Sequence, residues 1–277
     1  MASTDVVKKE TDALPDYLKD FKGNLGKGNI DQSDVVIPRL KLIHPISPEV
    51  TAYPGDAKPG GFWHNVLDKN LGEEITFIAC SQKKKYFLFA PRGDEQGILA
   101  RADDGVHWEP PNKKFQVKLK GIKDPVTWAT AKTVKESGLA EFGTSNPSDP
   151  NSHPAAILIY EYLCYLPDYP EISPVVLSFA KSQIRPCKKE LVSKIALFDG
   201  PIQALRFQVK SVPDKNDDGD DYFNVTFRQV GYSTDEQFKA ARSIFDRFKD
   251  YTTADEEGAI KETDATKGSG DVSESEY

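Results

Sequence analysis

The sequence predicts a mainly β fold with peripheral helices, of the α+β class, on three observations. Strand-length segments rich in β-branched and aromatic residues recur along the chain and outnumber helical patterns. Aromatic content is 10%, with 15 Phe and 11 Tyr against one Met, a mix that suits strands and flat binding faces. Pro38, Pro45 and Pro48 exclude a continuous helix where order is expected to begin, near residue 35.

In chain order, residues 1–34 are polar and read as a flexible arm with one short amphipathic piece at 14–21. The alternation in RLKLI, 39–43, predicts a short strand, and YPGDAKPGG, 53–61, a turn-rich connector. EEITFIACSQKKKYFLFAP, 73–91, reads as two strands joined near residues 81–84. Further strands are expected at 115–119, 156–167, 174–180, 202–212 and 222–232, the last two joined by a hairpin turn at 213–221. Helices are expected at about 126–137 and 182–197. The clearest helical signal is at 234–248, where Ser233 and Glu236 have capping-box spacing and Phe238, Ala241, Phe245 and Phe248 share one face. After Tyr251 the pattern dissolves. The expected organisation is an arm at 1–34, one β-rich domain at 35–251 and a disordered acidic tail at 252–277. Strand order is not legible at this level.

No apolar run approaches the ~18 residues of a transmembrane helix, and residues 1–10 lack the apolar stretch of a signal peptide. Cys80, Cys164 and Cys187 are odd in number and far apart, a poor disulfide framework that fits a reducing compartment. The expectation is a soluble cytoplasmic protein without a membrane partner. The net charge of −7 resides at the C-terminus, where residues 250–277 hold nine carboxylates against Lys261 and Lys267. Residues 1–249 are therefore neutral overall, and the acidic balance does not argue against a body that binds an anion.

Three segments combine cations with aromatic rings. Lys83, Lys84 and Lys85 adjoin Tyr86 in an expected strand, with Arg92 beyond it. Lys113 and Lys114 lie in PNKKFQVKLKGIK, 111–123, after Trp108 and before Trp128. Lys181, Arg185, Lys188 and Lys189 belong to a stretch, 176–212, with seven basic residues and two acidic ones. Single-stranded nucleic acid calls for this mix, because cations track phosphates and aromatic faces stack on bases. Each segment taken alone also fits ordinary solvated lysines beside core aromatics. The acidic tail could occupy a basic groove until phosphates displace it, or could simply solubilise the chain.

Catalytic and metal signals are weak. His44, His64, His107 and His153 have no metal-ligand spacing among themselves or with the cysteines. Asp214, Asn216, Asp218 and Gly219 match the start of a calcium loop, but its twelfth position is Val225, where a bidentate carboxylate is needed. Glu161 and Asp168 could form a carboxylate pair, and strand ends explain them equally. Neither a cofactor nor an enzymatic activity is expected.

The segment VIPRLKLIHPISPEV, 36–50, and the combination of Lys188 and Lys189 with GDDYFNVTFRQVG, 219–231, resemble phrases in bacteriophage replication and recombination-region proteins. The chain is similar there to phage single-stranded DNA-binding proteins. That resemblance implies an oligonucleotide-binding (OB-fold-like) β-barrel, a groove of basic and aromatic residues, and an acidic tail that ends in an aromatic residue. Tyr277 closes this tail, where several phage proteins of that kind carry Phe. Glu274, Glu276 and Tyr277 are then the partner-docking residues, for replication proteins such as a polymerase or helicase-primase. The expected ligand is single-stranded DNA, the compartment the host cytoplasm, and self-association is left open. Rival expectations are a strand-annealing recombination protein, a virion or assembly protein that binds no nucleic acid, and a metal-dependent nuclease.

Overall fold

Strand pairing along both edges of one long strand organises the molecule. In a computed structural model the described residues are 35, 37–91, 96–119, 121–215, 219 and 221–248. The chain divides into two compact units, Met1–Val35 and Val36–Tyr277. The arm and tail expectations lie outside the described residues, and the following concerns the second unit.

The long strand is β4, Glu74–Phe89. Before it come β1 (Arg39–Leu42), the short helix α1 (Pro48–Ala52), β2 (Phe62–His64) and β3 (Lys69–Asn70). After it come β5 (Ile98–Ala102), β6 (Lys114–Val117), β7 (Val126–Ala129), helix α2 (Val134–Ser137), β8 (Ala156–Tyr165) and β9 (Val175–Ala180). A helical segment follows, made of α3 (Ile184–Cys187), a π-helical turn (Lys188–Val192) and α4 (Ser193–Leu197). The hairpin β10 (Leu205–Lys215) and β11 (Asp221–Tyr232) leads into α5 (Asp235–Phe248). The main sheet has the order β11-β10-β4-β8-β9-β1-β2-β3, with β5 also on β4, and β6-β7 form a separate ribbon. All pairs are antiparallel except β1 with β9.

The fold is mainly β, with fewer helices than strands and a sheet curled into an OB-like half-barrel. Its two faces bury different sets. Ile75, Phe77 and Ala79 of β4 join Tyr162, Leu177, Phe207 and Val225 on the inner face, over which the helical segment inserts Cys187 and Leu191. Ile78, Cys80, Leu163 and Val176 form the outer face under Ala241 and Phe248 of α5. The curl brings β9 to β11 across the interior, where Phe179 and Phe227 meet edge to face at 4.8 Å. The Phe223 N–H also donates to His44 Nδ1 at 3.4 Å. Gly60, at φ +85°, lies against the Phe223 ring, where a Cβ would come within 2.7 Å.

Several expectations change here. β4 is one strand of 16 residues and not two joined near 81–84. Its partner β8 runs alongside for the whole central length, and a bulge between Ala79 and Ser81 absorbs the change of pattern. The carbonyl of Cys80 at that bulge accepts from Gln203 Nε2 at 2.8 Å. The helix expected at 126–137 is strand β7 followed by a single helical turn. Val126, Thr127 and Trp128 pair with β6, and Thr133 with Glu136 caps a helix that stops at Gly138, φ +68°. The cap of α5 is Thr234 with Gln237, whose side chains each accept from the other's backbone N–H, and not Ser233 with Glu236.

Candidate nucleic-acid interface

The bulge in β4 decides which lysines face solvent. Beyond it, Lys84 and Tyr86 share a face with Tyr160 and Leu158 of β8, while Lys83, Lys85 and Phe87 share the other with Glu161, Ile159 and Ile157. Lys84 is exposed, and its Nζ sits 5.1 Å from the centre of the half-buried Tyr86 ring. Tyr86 packs against the core that holds Trp108, Phe115 and Trp128, whereas Leu158 and Tyr160 pack against the half-barrel core. The Lys84–Tyr86 pair therefore lies where the two cores meet. Tyr160 belongs to the same cluster as Cys187 and Leu191, so the helical segment lies on this same side of the sheet. Burial raises the Tyr160 phenol, against the pull of Lys84.

Arg185, Lys188 and Lys189 are exposed on the helical segment, while Cys187 and Leu191 point inward. Cys187 and Leu191, four residues apart, share the inward face where α3 runs into the π turn over 188–192, and Arg185, Lys188 and Lys189 fall outside it. Lys189 pairs with Glu190 at 3.4 Å, and Glu190 also holds Lys194 at 3.1 Å. Lys84, Arg185 and Lys188 have no ion pair among the described residues. Lys181, at φ +53°, is half-buried just before the segment. Lys113 and Lys114 are exposed on the β6 ribbon, with Lys113 Nζ 5.4 Å from the Phe115 ring.

Two expected ligand contacts lie in the interior. Trp108 is 1% exposed and its Nε1 donates to Ser137 Oγ at 3.0 Å, so its ring offers no face to a base. Lys85 is 4% exposed and pairs with Glu161 at 3.1 Å, a carboxylate that also holds Arg39 at 3.2 Å. A charge enclosed in this way cannot reach a phosphate. Lys83 is half-buried on that same face. Arg92 and the tail residues Glu274, Glu276 and Tyr277 lie outside the described residues. All three tryptophans are buried, Trp63 included, so none reports on a surface ligand directly.

The remaining chemistry-bearing groups have structural surroundings. Glu161 is a buried ion-pair partner in β8, and Asp168 is an exposed residue of the loop that follows. Asp214 accepts from Tyr222 Oη at 2.7 Å and Asn224 Nδ2 at 3.0 Å, which knits the β10–β11 hairpin. Asn216 and Asp218 lie outside the described residues, and Val225 is buried in β11. Burial pushes the Cys80 and Cys187 thiols up to about 12. Desolvation lowers His44 to about 4. Among the described residues no His, Cys, Asp and Glu cluster could hold a metal ion. Nor is any helix among them long and apolar enough to cross a membrane.

The sequence reading did not single out Tyr232, 65% exposed beside Phe198, or Phe142, 70% exposed beside His153. Nothing in their local pattern separates them from the core aromatics around them.

A family model described as Pam3 phage gp34-like protein matches residues 8–254. No curated protein and no solved structure matches the chain.

Proposed function

The chain belongs to the Pam3 phage gp34-like family, and from that premise we propose that it is a non-enzymatic single-stranded DNA-binding protein of phage replication or recombination. The observation that carries this reading is the Lys84–Tyr86 pair, a free cation over a half-exposed ring, on the side of the half-barrel that also bears Arg185, Lys188 and Lys189. Cations on a β surface beside an aromatic ring supply the two contacts a single strand needs. Phosphates pair with the cations, and a base stacked on a ring contributes ~1–3 kcal/mol. The OB-like half-barrel is an architecture that binds oligonucleotides on its sheet face and loops. The family supports a bacteriophage origin, and a role on single strands during replication or recombination would be carried out in the host cytoplasm.

The test uses a fluorescently labelled oligonucleotide and anisotropy, because the tryptophans are buried. The full chain should bind a single strand more tightly than the same sequence as a duplex, with log affinity falling linearly as log salt rises. Pairing of complementary strands by the protein would favour the annealing reading. Loss of the oligonucleotide in magnesium would favour a nuclease. No binding even at about 50 mM salt would leave a virion or assembly role.

A further inference from the structure

The β6–β7 ribbon and its flanks carry a dense run of unpaired positive charge. Between residues 110 and 135 the described residues include Lys113, Lys114, Lys118, Lys123, Lys132 and Lys135, all exposed, against one carboxylate, Asp124. None of the six has an ion pair among the described residues. On β10, β11 and α5, by contrast, signs are interleaved: Lys210 meets Glu74, Lys215 meets Asp221 and Lys239 meets Asp235. Like charges on one small lobe repel each other and weaken it unless a polyanion neutralises them.

The ribbon also orders these cations. Phe115, Val117 and Trp128 are buried, so Lys114 and Gln116 line the outer face of β6, with Lys118 exposed one residue beyond its end, and Thr127 and Ala129 line that of its partner. Four residues of extended chain span about 13 Å, which bounds the spacing of Lys114 and Lys118. The small residues opposite leave that face open on one side, and Gln116 Nε2 is tied to Thr127 Oγ1 at 2.9 Å. The ribbon's base is fixed by Thr130, whose hydroxyl accepts from the Lys113 N–H and donates to the Pro110 carbonyl, both at 2.9 Å. The lysine stems therefore project from a rigid support, which lowers the entropy lost when they engage a ligand.

We infer that the outer face of the β6–β7 ribbon is a second phosphate-tracking surface for single-stranded DNA, formed by Lys114, Lys118 and Lys123 with Lys132 and Lys135 flanking. It extends the proposed binding face from the half-barrel onto this lobe, and it rests on that proposal. Contacts here are to phosphates and carry no base preference, since no aromatic ring is exposed on the ribbon face.

The test compares the full chain with Lys114→Glu/Lys118→Glu/Lys123→Glu. A control with the same charge change, Lys58→Glu/Lys210→Glu/Lys239→Glu, tests for bulk charge. Each is measured by oligonucleotide anisotropy over a salt series, with thermal melting to verify folding. Three lost phosphate contacts should make the log–log salt slope shallower by about 2 and weaken binding at least tenfold near 50 mM salt. The control should change neither by as much. Wild-type binding that the ribbon variant retains in full, with an unchanged slope, overturns the ribbon and leaves the half-barrel proposal intact. Equal losses in ribbon and control variants overturn it as well, since the effect is then bulk charge. Absence of single-strand binding by the unaltered chain removes both. If the Glu variant melts early, Lys114→Gln/Lys118→Gln/Lys123→Gln gives the same decision.

Discussion

Glu161 is 1% exposed and faces two cations, Arg39 at 3.2 Å and Lys85 at 3.1 Å, with Arg39 also donating to Ser178. Removing that carboxylate strands buried positive charge, so Glu161→Ala should destabilise the fold by about 3–5 kcal/mol in urea unfolding. Lys84→Ala, one residue from Lys85 but exposed, should stay within about 0.5 kcal/mol of wild type and weaken DNA binding instead. Equal stability losses from the two would refute this division of β4 into a structural and a ligand-facing side. His44 gives a pH test. Its imidazole titrates near 6.5 when unfolded and is lowered to about 4 by burial. As pH falls below 6.5 the unfolded chain takes a proton that the folded chain refuses, so stability is lost until about pH 4. The loss saturates near 3 kcal/mol. His44→Gln keeps an acceptor for the Phe223 N–H and removes the titration. Its stability should fall less than wild type between pH 7 and pH 4, and parallel curves would show that His44 contributes nothing.

At the scale of elements, α5 begins at a reciprocal pair, Thr234 with Gln237. Thr234→Ala should therefore cost about 1 kcal/mol, and Ser233→Ala almost nothing. The reverse order in chemical denaturation would restore the cap that spacing alone suggests. Gly60→Ala probes the seam of the half-barrel, because φ +85° and the Phe223 ring both oppose a Cβ. A loss of at least about 1 kcal/mol is expected. α5, with one periodic apolar face, and β8, a nearly continuous apolar run of strand length, were legible in the sequence. β4 was not, because three consecutive lysines resemble a turn unless a partner strand and Glu161 are known. β7 was missed for a related reason: the ribbon is held by pairing of Phe115 with Trp128, which local propensity does not encode. The same blindness put Trp108 and Lys85 among the ligand contacts. An aromatic or a lysine beside basic residues looks identical in sequence whether it points inward or out.

At the scale of the whole molecule, charge and topology act together. The cations proposed to meet DNA lie on two lobes whose cores meet at Lys84 and Tyr86, and residues 252–277 carry a formal charge of −6. A tethered polyanion at high effective concentration would compete with phosphates for those lysines. Deleting residues 252–277 should raise single-strand affinity, most clearly at low salt where screening is weakest. Unchanged or lower affinity would show that the tail does not compete. The central claim is that single strands bind on the side of the half-barrel marked by Lys84 and the helical segment. Salt-dependent oligonucleotide anisotropy on wild type and Lys84→Glu/Arg185→Glu/Lys188→Glu tests it most directly. The account predicts a folded variant that binds at least tenfold more weakly near 50 mM salt, with a log–log slope shallower by about 2. A folded variant with wild-type affinity and slope would contradict it.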